Sequence, residues 1–334
     1  MAGETEKTDL SRDVHGAAVG AGPLVSVVVA TRDRREQLSI LLDALDSQTL
    51  PRELFEVVIV DDGSVDGSAD LAEARADRVV RNPSSLGPAG ARQQGWPIAS
   101  AGLIAFTDDD CRPEPDWLEQ GLEVHRANSR SIVQGKTRPD ELSNIDLRTP
   151  LARSIRVDHL GPFFETCNVF YPKALLEEVG GFDDAIATAG EDADLAMRAL
   201  ATGCGAVFAE DAIVNHSVEV HSFERALRGT KRWASLVPLV ARHRQLRKAF
   251  LWRGLIWRES HWRLILALSG ALLWRLTGRR IFLIWLVPYV TLRNGWYPDG
   301  LLRTLISLPR TLPIDAAEVL VLAKASVKEG RLLL

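Results

Sequence analysis

Short apolar runs separated by polar, glycine-bearing segments set the rhythm of the first two thirds of the chain. Residues 24–30 (LVSVVVA), 55–60 (FEVVIV) and 103–106 (LIAF) are short and almost wholly apolar, so they predict buried strands. Between the first two, Leu38, Leu41, Leu42 and Leu45 share one helical face and predict a helix over 34–47. A second helix is expected over 68–76, a short strand over 78–81, and a third helix over 88–96, entered through Gly87-Pro88. Strands alternating with helices imply crossover units. The expected fold is therefore α/β and Rossmann-like, a mostly parallel mixed sheet with helices on both faces.

The pattern changes after residue 110. Strands are expected over 131–136 and 166–170, and a short helix over 172–179, stopped by Gly180-Gly181. A helix over 191–202 ends at Gly203, and two further strands follow over 205–208 and 212–214. This body spans 23–221 and reads as the catalytic unit, with a half expected to bind nucleotide at 23–110 and a half expected to take the acceptor at 111–221. Residues 1–22 are polar and Gly/Ala-rich without a hydrophobic centre, so they read as a disordered tail and not as a signal peptide.

The remainder, 222–334, reads as a helical, basic, tryptophan-rich extension. Six of the nine tryptophans lie between 252 and 296: Trp252, Trp257, Trp262, Trp274, Trp285 and Trp296. Two apolar blocks, 264–274 and 281–292, fall short of the roughly 20 residues a spanning helix needs. Arg263, Arg275, Arg279, Arg280 and Arg293 bracket them. Arginine and tryptophan beside short apolar blocks favour attachment at a membrane surface through 252–296. A packed helical hairpin is the alternative. A true spanning helix is the least favoured reading.

Composition is ordinary for a globular protein: 334 residues, 46% apolar and 25% charged. The net charge of −4 is too small to indicate a partner. Its distribution is more informative. Residues 225–280 hold 14 Lys or Arg against one acid, Glu259, so the acids concentrate in the body. Apolar blocks interleaved with the basic residues argue against nucleic acid as the partner. Cys111, Cys167 and Cys204 are odd in number, far apart and without a CxxC, which disfavours a disulfide framework or zinc site.

Three acidic clusters follow apolar runs or open a helix. Asp61-Asp62-Gly63-Ser64 and Asp108-Asp109-Asp110 each follow a strand, where ligands bind at the carboxyl edge of such sheets. In an extended segment Asp108 and Asp110 would face one ligand while Asp109 faced away. Hard cations such as Mn²⁺ and Mg²⁺ prefer such oxygen donors and retain bound phosphates. A solvated turn is the plain alternative, and Pro113 and Pro115 lie just beyond. Asp61 and Asp62 can accept from a base or a ribose, or simply make an Asx turn. Thr31, Arg32 and Asp33 end the first strand and are equally ambiguous alone. Arg92 can approach a phosphate or make a structural ion pair. Glu191-Asp192 opens a helix after Gly190, where the helix dipole favours the ionised carboxylate. A raised pKa would suit a general base better. His216 can be a metal ligand, a phosphate donor or an ordinary histidine.

Together these segments resemble the family 2 glycosyltransferases of the GT-A fold. The likeness rests on VSVVVATRDR (25–34), FEVVIVDDGSVDGS (55–68), GPAGARQQGW (87–96), LIAFTDDDCRPEPDWL (103–118), TCNVFYPKALLEEVGGFDD (166–184) and GEDADLAMRALATG (190–203). It implies transfer of a sugar from a nucleotide diphosphate sugar to an acceptor, usually with inversion and with a divalent metal. Carried over residue by residue, it implies that Thr31 with Asp61 or Asp62 holds the nucleoside. Arg32, Asp33, Asp109 and Arg92 would then lie near the donor. It implies that Asp108 contacts the ribose or nucleotide and helps Asp110 bind the metal. Asp192 would be the general base and Glu191 its neighbour. His216 matches a position that supplies a metal ligand in some relatives.

The chain departs from the processive synthases of that family. Lys231-Arg232-Trp233 is present without the matching glutamine, and long spanning helices are missing, so one-sugar transfer is expected over polymerisation. The implied acceptor is a cell-envelope or lipid-linked glycan, and the implied location is cytoplasmic, peripheral at the inner face of the membrane. A natural-product transferase with a soluble acceptor, or a catalytically silent sugar-nucleotide binder or membrane scaffold, remains as an alternative. A nucleotidyltransferase is disfavoured because Thr31-Arg32-Asp33-Arg34 replaces a glycine-rich, lysine-bearing loop. A dinucleotide oxidoreductase is disfavoured because no GxGxxG follows the first strand.

Overall fold

The computed structural model describes residues 22–333 except 150, 187 and 293–299. The expected tail therefore lies outside the described residues but for Gly22, as do Arg293 and Trp296.

The apolar runs are strands and they pair as expected. β1 (Val25–Thr31) lies parallel between β2 (Phe55–Asp61) and β4 (Leu103–Thr107), and β3 (Arg78–Arg81) extends the sheet beyond β2. The full sheet has eight strands in the order β3-β2-β1-β4-β8-β6-β9-β5. β8 (Asn168–Pro172) runs antiparallel to β4 and to β6 (Ser131–Pro139), while β9 (Gly205–His216) runs parallel to β6 and antiparallel to β5 (Cys111–Pro113). The sheet is thus parallel among β1 to β4 and mixed beyond β4. β7 (Ala152–Arg153) and β10 (Glu219–Val220) form a separate small ribbon.

Residues alternate between two cores because helices cover both faces of the sheet. Val27, Val29, Val57 and Ile59 pack with Leu38, Leu41 and Leu45 of α1 (Arg35–Asp46). Val28, Val58, Ile104 and Phe106 face the other way. They pack with Ala89 and Trp96 of α3 (Gly87–Ile98) and with Leu195 and Ala196 of α6 (Glu191–Ala201). The expected helix over 68–76 is α2 (Ser68–Arg75).

Four local expectations are corrected. The strands expected at 205–208 and 212–214 are one strand, β9, whose pairing with β6 shifts register between Gly135 and Lys136. The exposed pair Glu210-Asp211 falls at that irregularity, which is why the sequence looks interrupted. Pro172 ends β8, and α5 (Lys173–Val179) starts one residue later. The proline-rich stretch after the second acidic cluster is β5, followed by an unforeseen helix, α4 (Trp117–Ala127). Residues 108–110 are a turn and not an extended segment: the Cys111 N–H donates to the Asp108 carbonyl at 3.1 Å. Strict side-chain alternation therefore fails there.

The extension is helical and packs on the α6 side. Leu236, Leu239 and Val240 of α8 (Leu236–Arg242), which follows α7 (Phe223–Gly229) and a 3₁₀ turn (Thr230–Ser235), share a buried cluster with Leu195 and Ala196. After α9 (Arg244–Phe250), the first apolar block lies in α10 (Glu259–Thr277). The second forms a 3₁₀ turn (Arg280–Leu286) and α11 (Val287–Leu292), ahead of α12 (Gly300–Glu329). The two blocks meet at Gly270, where an added Cβ would stand 2.5 Å from the Phe282 carbonyl oxygen. Leu268, Leu272, Leu276, Ile281 and Ile284 remain 57% to 71% exposed, so the hairpin buries one face only. Among the described residues, no helix is long and apolar enough to cross a membrane.

Candidate active site

β1, β2 and β4 are parallel and in register, so their chemistry-bearing ends arrive together. Thr31 pairs with Asp61, and the Asp62 N–H donates to the Thr31 carbonyl at 2.8 Å. A cavity of about 590 Å³ opens at this edge. Thr31, Arg32, Asp62 and Asp108–110 form one side of it, and Glu191, Asp192 and His216 close it. All three acidic clusters therefore reach one space. Asp33 and Asp61 are not among its walls. Asp33 accepts from the Val65 N–H at 2.8 Å and has φ 51°, while buried Asp61 accepts from the Ser64 N–H at 3.2 Å.

Asp62 is tied down. Asn82, Ser85 and the Leu86 and Gly87 N–H groups all donate to its carboxylate, at 2.6 to 3.0 Å. Burial pushes its pKa up, but these bonds outweigh it and hold the carboxyl below the usual range. It organises the 82–87 loop at the cavity rim.

The three aspartates of the turn share three partners, Arg92, Thr31 and Arg34. Arg92 Nη2 donates to Asp108 at 2.5 Å. Thr31 Oγ1 donates to Asp109 at 2.8 Å, and Arg34 Nη1 donates to Asp109 at 3.2 Å. The same Arg34 nitrogen donates to Asp110. Asp109 is therefore turned inward on Thr31, and burial drives its pKa up to about 7 against the opposing Arg34 charge. His216 stands on the far side of Asp110, with Nε2 3.5 Å from Oδ1.

At the opposite wall, Gly190 takes φ 85° to start α6, and a Cβ there would meet Leu239 at 2.5 Å. This turn presents Glu191 and Asp192 to the cavity. The Thr166 N–H and Oγ1 both donate to Asp192, each at 3.1 Å. Burial raises the Asp192 pKa, and the Arg92 charge only partly offsets it. The sequence-based expectation that the helix end dominates is thus corrected, because desolvation is the larger effect here. Glu191, buried beside Asp192, is pushed up to about 7.

Arg92 links the two walls. It is buried, with Nη1 3.7 Å from Glu191 and 4.0 Å from Asp192, and Nε and Nη1 have no hydrogen-bond partner among the described residues. Burial opposes its charge, but Asp108, Asp192 and Glu191 outweigh that and keep it firmly protonated.

Sequence reasoning did not assign Arg34, Glu165, Thr166, Arg232 or Trp233 to the site, though all five wall the cavity. Arg34 directly follows the noted Thr31-Arg32-Asp33 and immediately precedes α1, a place that gave no distinguishing signal. Glu165, lifted to about 7 by burial, directly precedes the 166–184 segment. Arg232 and Trp233, noted in the sequence only as part of an incomplete processive-synthase signature, come from the 3₁₀ turn of the extension.

A family profile described as "Glycosyl transferase family 2" matches residues 26–178, and one described as "Glycosyl transferase family group 2" matches 103–297, more than half of the chain. The chain belongs to the family 2 glycosyltransferases. Among curated relatives of this glycosyltransferase, the glycosyltransferase AglE of Haloferax volcanii is 27% identical over 211 residues, covering 58% of this chain and 67% of the relative. The validoxylamine A glucosyltransferase of Streptomyces hygroscopicus subsp. jinggangensis is 30% identical over 220 residues, 54% of this chain and 52% of the relative. The pre-mycofactocin glycosyltransferase of Mycobacterium tuberculosis is 29% identical over 237 residues, 66% of this chain and 48% of the relative. The alignments thus span about half the length of the latter two. Among solved structures, the mannosyltransferase PcManGT of Pyrobaculum calidifontis, in complex with GDP-Man and Mn²⁺, superposes with a TM-score of 0.56. It is 19% identical, and the match covers 92% of this chain and 88% of that one. The fold is GT-A, as the resemblance implied.

Proposed function

We propose that this glycosyltransferase moves a single sugar from a nucleotide diphosphate sugar to an acceptor hydroxyl, by direct displacement with inversion. The observation that carries the reading is that Asp192 and the 108–110 turn wall one cavity and are joined through Arg92. In this reading the nucleoside and ribose lie against Thr31, Arg32, Asp62 and Asp108. Asp33 and Asp61 support that wall from behind. Asp192, oriented by two bonds from Thr166, accepts the proton of the acceptor hydroxyl as that oxygen bonds to the anomeric carbon. The bond from that carbon to the diphosphate breaks as the new one forms, so a single displacement inverts the centre. The Arg92 charge beside Asp192 and Glu191 opposes the effect of desolvation and favours the ionised form of the base.

The residues fit a divalent cation, Mn²⁺ or Mg²⁺. His216 Nδ1 lies 3.0 Å from the Ser217 carbonyl, which assigns a proton to Nδ1 and leaves Nε2 as the nitrogen that faces Asp110. The Arg34 guanidinium sits against Asp109 and Asp110 as a stand-in for positive charge there. Asp110, His216 and Asp108 are the proposed ligands. Cys111 is also within reach, but its buried thiol is held neutral and is too soft for these cations. When bound, the cation would neutralise the departing diphosphate.

The exposed leucines and isoleucines of α10 and the following 3₁₀ turn, flanked by Arg275, Arg279 and Arg280, support peripheral attachment to an anionic membrane surface. A lipid-linked or cell-envelope saccharide acceptor fits that attachment. Asp192→Asn tests the mechanism. Turnover should fall about 10²- to 10⁴-fold with donor affinity retained. Near-normal transfer would remove Asp192 from the role of base.

A further inference from the structure

Arg34 stands between carboxylates from two separate parts of the fold. It immediately precedes α1, and its backbone N–H donates to Ser68 Oγ at 3.2 Å, which fixes the start of the side chain. The guanidinium then reaches two ways. Nη1 donates to Asp109 Oδ1 at 3.2 Å and to Asp110 Oδ2, both in the 108–110 turn. Nη2 lies 3.4 Å from Glu219 Oε1, on β10 of the small ribbon. Arg34 thus walls the cavity that holds Asp192 and also an adjoining one of about 470 Å³, which Asp110, Glu219 and His221 line as well.

Asp110 is approached from both sides. Its Oδ2 takes Arg34, while its Oδ1 lies 3.5 Å from His216 Nε2. The pair Oδ1 and Nε2 belongs to the proposed divalent-cation site. A cation there would stand on the same carboxylate as the guanidinium, so two positive groups would share one negative charge. The Asp110 side chain is only 10% exposed, so water screens that repulsion poorly. Arginine cannot relieve it by losing its proton. Burial works against the Arg34 charge, but Asp110, Asp109 and Glu219 outweigh it and keep the guanidinium protonated. Relief must come from movement, and Glu219 offers the second anion. Glu219 also pairs with Arg225 at 3.0 Å and with His221 at 3.5 Å, so it is held in place on the ribbon.

We propose that Arg34 is an internal counter-ion that competes with the divalent cation for Asp110 and withdraws onto Glu219 when the cation binds. This rests on the proposed cation site of Asp108, Asp110 and His216. Arg34 is then a positioning residue. Without metal it ties the 108–110 turn to β10, and with metal it leaves Asp110 to the cation. Glu219 sets the balance, because it is the anion that keeps Arg34 once Asp110 is taken. Cation affinity is thereby tuned by two residues outside the ligand set.

Mn²⁺ binding to the full chain is the test, read by loss of the free Mn²⁺ electron-spin signal and by calorimetry, alone and with saturating GDP or UDP. Arg34→Gln should tighten Mn²⁺ about tenfold or more, and Glu219→Gln should weaken it several-fold. In the Arg34→Gln background, Glu219→Gln should have little effect, since Glu219 acts through Arg34. The two side chains are 25% and 23% exposed, so the variants should fold, and tighter binding cannot arise from misfolding. Unchanged or weaker Mn²⁺ binding by Arg34→Gln, with the parent chain binding normally, would overturn the exchange and leave the cation site standing. Equal weakening by Glu219→Gln with and without Arg34 would also overturn it and make Glu219 a distant charge. Absence of Mn²⁺ binding by every chain, even with nucleotide, would overturn the cation site and the exchange together.

Discussion

Arg92 donates to Asp108 at 2.5 Å while its other terminal nitrogen lies 4.0 Å from Asp192, so one buried guanidinium links the 108–110 turn to the proposed base. Removing it leaves buried Glu191 and half-buried Asp108 and Asp192 without their cation. Arg92→Met should destabilise the fold by about 3 kcal/mol, the cost typical of breaking a buried pair on one side. It should also move the acid limb of the pH–rate profile upward, since Arg92 is what lowers the pKa of its two neighbours. Thermal melts and a pH profile read the two effects. An unmoved acid limb would deny Arg92 this role.

Activity and stability should respond oppositely to pH. Glu165 and Glu191 are raised from an ordinary 4.5 to about 7 by burial, so the folded chain binds their protons more tightly than the unfolded chain. The stability this gives is complete below about 4.5 and is lost as pH rises through about 7. Turnover should rise over the same window as the Glu191–Asp192 pair ionises. Glu165→Gln should flatten the stability slope between these pH values in denaturant titrations. A slope equal to that of the unmodified chain would contradict the assignment.

The open face of α10 gives a membrane prediction. Leu272 and Leu276 are 58% and 71% exposed, so Leu272→Glu with Leu276→Glu should leave the melt unchanged. Sedimentation with anionic phospholipid vesicles should fall several-fold. Equal sedimentation of variant and parent would count against attachment through this face.

Much of the site was legible because strand ends in a parallel sheet deliver adjacent residues to one edge. The runs 24–30, 55–60 and 103–106 placed Thr31, Asp62 and Asp108 correctly relative to one another. What failed was local side-chain direction. The alternation argument for Asp108 and Asp110 assumed an extended segment, whereas the chain turns there, sending Asp109 inward to Thr31. The helix-dipole argument for Asp192 ignored burial, which only tertiary packing reveals. Arg34 was not assigned to the site, and Arg232 and Trp233 were weighed only against the processive signature, for a related reason. Each is ordinary in its own segment and becomes part of the site only when distant elements close on Asp110 and Asp192.

The most direct test of the account is calorimetric binding of GDP- and UDP-sugars to the folded chain with Mn²⁺, with Mg²⁺ and with chelator, beside Asp110→Ala. The account predicts that at least one donor binds with metal, that chelator weakens it about tenfold or more, and that Asp110→Ala abolishes the metal effect. Binding that ignores both chelator and Asp110→Ala, or no binding of any donor in the presence of metal, would contradict it.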